Sequence, residues 1–194
     1  MIGLFQGFCK LNTYALRIFR RVAWVALGLM VLIILLQVVF RYIFNNALAW
    51  PDEAARFLML WMVGLVAPSA LRWSGFVAID TLPSMLPRIV GSVLSLFLLA
   101  LIFMVLLVAA QHGMKHVFGF GGSFDSSSLK LPLDWFGGQE VKVKLRYMYG
   151  ALLFGIVTML VIAVELIIRS VFGLFLPDTE LPDNDSPLAR MASE

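Results

Sequence analysis

Two histidines and one cysteine are the side chains of this sequence best suited to metal, haem or redox chemistry. His112 and His116 stand four residues apart, so they can share a helix face and bind a metal ion, but no nearby Glu completes a zinc-protease motif and no third ligand is evident. Cys9 is the single cysteine, which excludes an internal disulfide. We therefore expect no bound cofactor and no enzymatic activity. A small haem-binding redox subunit, with the two histidines as ligands, is the alternative.

Glu165 lies beside the fourth apolar run of the sequence, and Asp80 lies in the connection between the second and third runs. Glu165 lies four residues before Arg169, and this spacing favours an i,i+4 ion pair at the membrane interface over a proton relay. Asp80 lies in a short connection, where a helix cap or a partner contact is a better interpretation than catalysis. The sequence lacks the inverted repeats and broken helices of secondary carriers, so we expect no complete substrate path within this chain.

The densest polar segment lies between the first and second apolar runs, at residues 37–56. Asp52 and Glu53 favour the start of a helix, because acidic side chains are stabilised at its positive end. Arg56 can pair with either acid, at i+4 or i+3. Trp50 is suited to anchoring the chain at the membrane interface. Physical chemistry alone favours a salt-bridged helical hairpin here.

Four apolar runs must position these residues. Apolar residues make up 61% of the 194-residue chain and charged residues 14%, which is too apolar for a single water-facing domain of this length. The runs predict transmembrane helices over about 22–44, 54–72, 88–111 and 146–169. The second is the shortest and has an arginine at each end. We predict an all-α membrane protein with four transmembrane helices and an N-terminal amphipathic interfacial helix.

The segments outside these spans differ in character. Residues 1–21 alternate apolar and cationic side chains at helical spacing, which predicts an amphipathic helix at the membrane surface, or else a plain extension of the first span. The transmembrane domain, 22–172, includes a long loop over 112–145 that its glycines and serines make partly flexible. Residues 173–194 are acidic and predict a disordered cytoplasmic tail.

Lysine and arginine placement predicts the orientation of the chain. Lys10, Arg17, Arg20 and Arg21 precede the first span, which favours a cytoplasmic N-terminus, and four spans return the C-terminus to the same side. Over the whole chain, however, this orientation gives the two sides of the membrane nearly equal numbers of basic residues. The net charge of +3 is small, and no basic stripe is interleaved with exposed aromatics, so we expect no nucleic-acid partner.

A spaced set of polar and aromatic residues runs through the first two spans. It reads Arg-Tyr-x-Phe-Asn, then Trp-x-Asp-Glu-x-x-Arg, then a Trp and an Arg, then an Asp. These residues are Arg41, Asn45, Trp50, Asp52, Glu53, Arg56, Trp61, Arg72 and Asp80. The set resembles the signature of the small, DctQ-like membrane subunit of TRAP transporters. Asp52 replaces the usual first Glu, and Phe76 stands where a His is common, so any role of that His is absent here.

The resemblance implies one component of a three-part transporter in a bacterial inner membrane. A periplasmic binding protein would capture a small organic solute, and a large DctM-like membrane subunit would carry it across with sodium. The small subunit would brace the large one as part of its static scaffold. Its signature residues would fix the hairpin, or contact lipid headgroups and the large subunit. An independent four-span channel or carrier is the other alternative.

Overall fold

Four long helices and a β-hairpin form the part of the chain that the structure, a computed structural model, describes: residues 2–46, 48, 50–73, 87–119, 123–131 and 141–175. The element order is α1 (Ile2–Tyr42), α2 (Trp50–Arg72), α3 (Arg88–Phe118), β1 (Asp125–Leu131), β2 (Val141–Lys144) and α4 (Arg146–Phe175). Each of the four helices is long and apolar enough to cross a membrane. The predicted four-span, all-α fold is therefore confirmed.

α2 is long enough to span a bilayer, although its uncharged run is short. Its 23 residues extend about 34 Å at the helical rise, against a hydrocarbon core of about 30 Å. The helix begins at Trp50, earlier than the expected residue 54, and carries Asp52 and Glu53 in its first turn. Pro51 suits this position because the first amides of a helix need no intrahelical acceptor.

α1 is one continuous helix of 41 residues, so the structure has no break at the expected boundary after residue 21. The sequence around that boundary contains no glycine, proline or capping residue that would end a helix. The N-terminal part buries Cys9, Asn12 and Leu16, while Leu11 is 65% exposed. An interfacial position for this part of α1 stays a prediction.

The expected loop over 112–145 contains regular structure. α3 continues to Phe118, so both histidines lie within a helix. β1 and β2 then pair antiparallel, with Asp125 opposite Lys144 and an irregularity in the register before residue 130. The amide of Leu145 donates to the carbonyl of Phe124 at 3.0 Å and closes the base of the hairpin. The acidic segment from residue 176 onward lies outside the described residues.

The chain divides into two compact units. The first comprises Met1–Arg20, Val66–Ala109 and Ile156–Glu194. Its buried apolar core consists of Leu16, Leu71, Leu106, Ile162 and Ala163. These side chains come from all four helices, so this unit is held by burial of one side chain or more from each of them.

The second unit comprises Arg21–Leu65 and Ala110–Gly155. Within it α2 and α4 approach closely at two glycines. A Cβ atom on Gly64 would collide with the carbonyl oxygen of Ala151, and one on Gly155 would lie 2.8 Å from the Cα of Gly64. Small residues permit such close backbone approach between membrane helices.

Candidate functional site: a buried ionic cluster

Glu165 is the centre of a buried polar cluster in the first unit. Its side chain is fully buried, and its two carboxylate oxygens accept hydrogen bonds from three residues of α1, α2 and α4. Cys9, Asn12, Thr13, Arg72, Glu165 and Arg169 are together called the Glu165 cluster. A buried carboxylate is tolerated only when it is paired and hydrogen-bonded, and here it is both.

Arg72, the last residue of α2, makes the strongest contact in the cluster. Its Nη2 lies 2.7 Å from Glu165 Oε1, its Nε donates to the same oxygen at 3.2 Å, and both side chains are at most 1% exposed. The other Arg72 donors reach α1: Nη1 donates to the Thr13 hydroxyl at 2.7 Å and Nη2 to the Cys9 carbonyl at 3.2 Å. This one guanidinium therefore joins three helices.

Asn12 and Thr13 are two side chains that α1 contributes to the cluster. Asn12 Nδ2 donates to Glu165 Oε2 at 2.7 Å, whereas the bonds from Arg72 described above reach Oε1. The Thr13 hydroxyl donates to the Cys9 carbonyl at 2.8 Å while accepting from Arg72. The Cys9 side chain is buried and interacts with Glu165 and Arg169, and the Cys9 backbone carbonyl accepts hydrogen bonds from Thr13 and Arg72.

The contacts between α1 and α4 define an antiparallel register. Asn12 meets Glu165, and seven residues earlier in α1 the Phe5 ring lies 5.5 Å from that of Phe172, which is seven residues later in α4. Equal and opposite steps along the two helices are the mark of antiparallel neighbours. The N-terminal part of α1 therefore runs along the C-terminal part of α4, which places Asn12 level with Glu165.

The cluster carries more positive than negative charge. Arg169 also pairs with Glu165 Oε1 at 3.1 Å, so two guanidinium groups share one carboxylate. The i,i+4 pair of Glu165 and Arg169 predicted from the sequence is thus confirmed. Nearby, Arg20 donates to the Ser69 hydroxyl at 3.4 Å and lies 4.5 Å above the Trp73 ring, a cation–π geometry.

The sequence family that matches this chain is the DctQ component of the tripartite ATP-independent periplasmic transporters, over residues 30–173. The chain belongs to that family. Comparison with curated proteins gives no match. The family match includes Arg72, Glu165 and Arg169 but begins after Asn12, so the α1 residues of the Glu165 cluster precede the matched region.

Most signature residues of this DctQ component lie in the second unit, whereas Arg72 lies in the first. Asn45 adopts a left-handed backbone with φ of 50°, and beside it the amide of Asn46 donates to the Phe40 carbonyl at 3.0 Å. Asparagine tolerates this conformation better than most residues, so Asn45 suits the turn that follows the end of α1 at Tyr42. Arg41 is exposed, with its guanidinium carbon 5.9 Å from the Tyr42 ring.

The remaining signature residues take different environments. Trp50 is 38% exposed, Asp52 and Arg56 are exposed, and Glu53 is half-buried. Trp61 lies between the rings of Phe57 and Phe154, each with its centroid 6.3 Å away. Its indole nitrogen is buried and has no hydrogen-bond partner in the described part of the chain. Asp80 lies outside the described residues.

The histidines of α3 do not form part of a metal centre in the described residues. His112 and His116 are exposed, and the His116 ring lies 6.1 Å from the Tyr149 ring. Across residues 2–46, 48, 50–73, 87–119, 123–131 and 141–175, no three His, Cys, Asp or Glu side chains come together as metal ligands. The haem alternative therefore gains no support from the structure.

The long-range pair of Arg72 with Glu165 was not foreseen from the sequence, yet a signal for it exists. In a four-span topology the second and fourth helices run in the same direction. Their C-terminal parts therefore meet the same side of the membrane, and Arg72 and Glu165 each lie in such a part. An unpaired charge on one helix predicts a partner of opposite sign at the same depth on another.

Proposed function

We propose that this DctQ component braces the large, DctM-like membrane subunit of a sodium-coupled, binding-protein-dependent transporter of a small organic solute. The Glu165 cluster is the observation that supports a bracing role. Its carboxylate accepts hydrogen bonds from Asn12, Arg72 and Arg169 of the same chain, which favours a role of this charge in internal packing over contact with a passing solute. A rigid bundle of this kind suits a static scaffold beside a moving transport domain.

The surface of the bundle supports contact with partners and lipid. Only 11% of the most apolar windows of α1 and α3 is buried within the chain, compared with 33% for α2. Such exposed apolar helix faces need lipid or another membrane protein around them. We infer that α1 and α3 provide this contact surface, with the large subunit covering part of it.

The proposed setting is the bacterial inner membrane with both termini in the cytoplasm. Lys10 and Arg17 are exposed on the N-terminal part of α1, and cytoplasmic segments are enriched in such cations. In this orientation the β-hairpin faces the periplasm, where a binding protein would deliver solute. The resemblance implies a small organic anion, such as a dicarboxylate or sugar acid, selected by the partner subunits.

Reconstitution of the three components would test the bracing role. Sodium-driven uptake into proteoliposomes should require this chain together with the large subunit and the binding protein. Replacing Arg41 or Glu53 with Ala should reduce co-purification of the large subunit or reduce uptake, while the exposed substitution Lys10→Gln should change neither. The proposal fails if this chain alone transports solute, or if the large subunit retains full uptake without it.

If this chain is part of a static scaffold, a second result is expected that does not depend on the uptake assay. Cross-links between cysteines introduced in this chain and in the fixed part of the large subunit should form equally well with and without sodium and solute. Cross-links to the moving part should depend on both. If every cross-link from this chain changed with sodium and solute, the chain would move with the transport domain and the scaffold role would be wrong.

A further inference from the structure

The hairpin end of the second unit exposes more cations than anions. Lys115 near the end of α3, Lys142 and Lys144 in β2, and Arg146 at the start of α4 are all exposed. Among the described residues of this region, Asp125 is an exposed acid, and it lies opposite Lys144 in the strand register. The exposed side chains of known placement therefore carry a net positive charge at one end of two apolar helices.

Three of these cations are close neighbours along the backbone. Lys142 and Lys144 are two residues apart in β2, so they point to the same face of the hairpin. Arg146 follows after one residue and opens α4. The contact of the His116 ring with the Tyr149 ring, at 6.1 Å, brings the last turns of α3 beside the first turn of α4.

Exposed aromatic rings accompany the cations. Phe118 is 73% exposed and lies three residues after Lys115, on the same side of α3, while Tyr147 is 57% exposed and follows Arg146. An exposed Phe ring is unfavourable in water, and Tyr rings are enriched where the ends of membrane helices meet headgroups. Lys115, Phe118, Lys142, Lys144, Arg146 and Tyr147 are together called the hairpin surface.

We propose that the hairpin surface binds the headgroups of anionic phospholipids and so anchors the joined ends of α3 and α4 in the membrane interface. The cations match the phosphate charge, and the two rings fit the boundary between headgroups and acyl chains. An acidic protein would satisfy the cations, but it would not account for rings exposed at the ends of membrane-spanning helices. The lipid assignment also does not depend on which side of the membrane the hairpin faces.

Quenching of tryptophan fluorescence by brominated lipids tests this proposal on the full chain. The substitution Tyr147→Trp introduces a reporter, and subtraction of the parent signal isolates it from the native tryptophans. Quenching is compared between brominated phosphatidylglycerol and brominated phosphatidylcholine at low and high salt. The test variant adds Lys142→Gln and Lys144→Gln, and the matched control adds Lys142→Arg and Lys144→Arg, which keeps both charges. Far-UV circular dichroism verifies that all variants are equally helical.

The reporter should be quenched by both lipids and should prefer phosphatidylglycerol. Each cation near an anionic surface contributes about 1 kcal/mol, so the preference should fall about fivefold for each contributing lysine lost, and high salt should weaken it. The Arg control should retain it. The proposal is overturned if neither lipid quenches the reporter, or if the Gln and Arg variants show equal preference. It is also overturned if the Gln variant keeps its preference for phosphatidylglycerol but no longer captures the binding protein, because the surface would then recognise an acidic protein.

Discussion

Replacing Arg72 with Met should destabilise the bundle more than replacing Arg169, the other arginine of the Glu165 cluster. Methionine has a similar length and is apolar, so it keeps most of the packing and removes the charge and the donors. The lost bonds are the two to Glu165 Oε1, at 3.2 and 2.7 Å, and those to the Thr13 hydroxyl and the Cys9 carbonyl. α2 thereby loses these polar contacts with α1 and α4, while the hydrogen bond from Arg20 of α1 to Ser69 of α2 remains.

The magnitude follows from what Glu165 retains. Removing one partner of a buried ion pair costs about 3–5 kcal/mol when the other charge is left alone. Here Arg169 and Asn12 still contact Glu165, so we expect the low end, about 3 kcal/mol, or roughly a hundredfold in the unfolding equilibrium. Arg169→Met is the matched control: its side chain is 12% exposed and its bonds are 3.1 and 3.2 Å long, so the expected loss is about 1 kcal/mol.

Reversible unfolding in mixed micelles, with a rising fraction of sodium dodecyl sulfate, measures both free energies by circular dichroism. A double-mutant cycle with Glu165→Gln then gives the coupling between Arg72 and Glu165. If Arg72→Met lies within about 0.5 kcal/mol of the parent, the range of ordinary surface substitutions, the buried pair does not hold the helices together. If Arg169→Met lowered the free energy of unfolding as much as Arg72→Met, the Arg72–Glu165 pair would not be the stronger of the two ion pairs.

Three further predictions concern single contacts and use the same unfolding assay. Gly155→Ala should cost about 2 kcal/mol because its Cβ would be forced against Gly64, whereas Gly150→Ala, which meets no atom, should be neutral or stabilising; equal effects would contradict the close crossing. Asn12→Leu should cost about 2 kcal/mol by removing the donor to Glu165 Oε2, and an unchanged midpoint would show that this bond is not formed. Asn45→Gly should match or exceed the parent in stability, while Asn45→Val should lose about 1 kcal/mol through its positive φ; the reverse order would contradict the turn assigned to Asn45.

The features that sequence reasoning predicted are those governed by local spacing. The acids at the start of α2 and the Glu165–Arg169 pair depend on residues within one or two turns of the same helix. The four spans follow from apolar length, which the bilayer imposes directly. Each of these features depends on the residues of a single helix, so it can be predicted without knowing how the helices pack together.

The Arg72–Glu165 pair and the role of Asn12 depend on which face of each helix is buried. In the N-terminal part of α1, which the sequence predicted as an amphipathic helix, Leu11 is 65% exposed while Asn12 is 8% exposed. A helix bundle surrounded by lipid can turn apolar side chains outward and polar ones inward, because lipid accepts the former at no cost. Periodicity alone therefore cannot identify the inner face in such a bundle.

The charged groups of the Glu165 cluster are paired with one another, and this pairing affects which part the DctQ component can take in transport. A site that passes a solute or an ion needs polar atoms that are free to exchange partners. Both oxygens of Glu165 accept hydrogen bonds from donors within the chain. The guanidinium of Arg72, which belongs to α2, donates to groups on α1 and α4. Breaking the contact of Arg72 with Glu165 would weaken the pairing of two buried charges, which opposes motion of α1, α2 and α4 against one another. Buried charges that resist rearrangement suit a component that stays still while its partner moves.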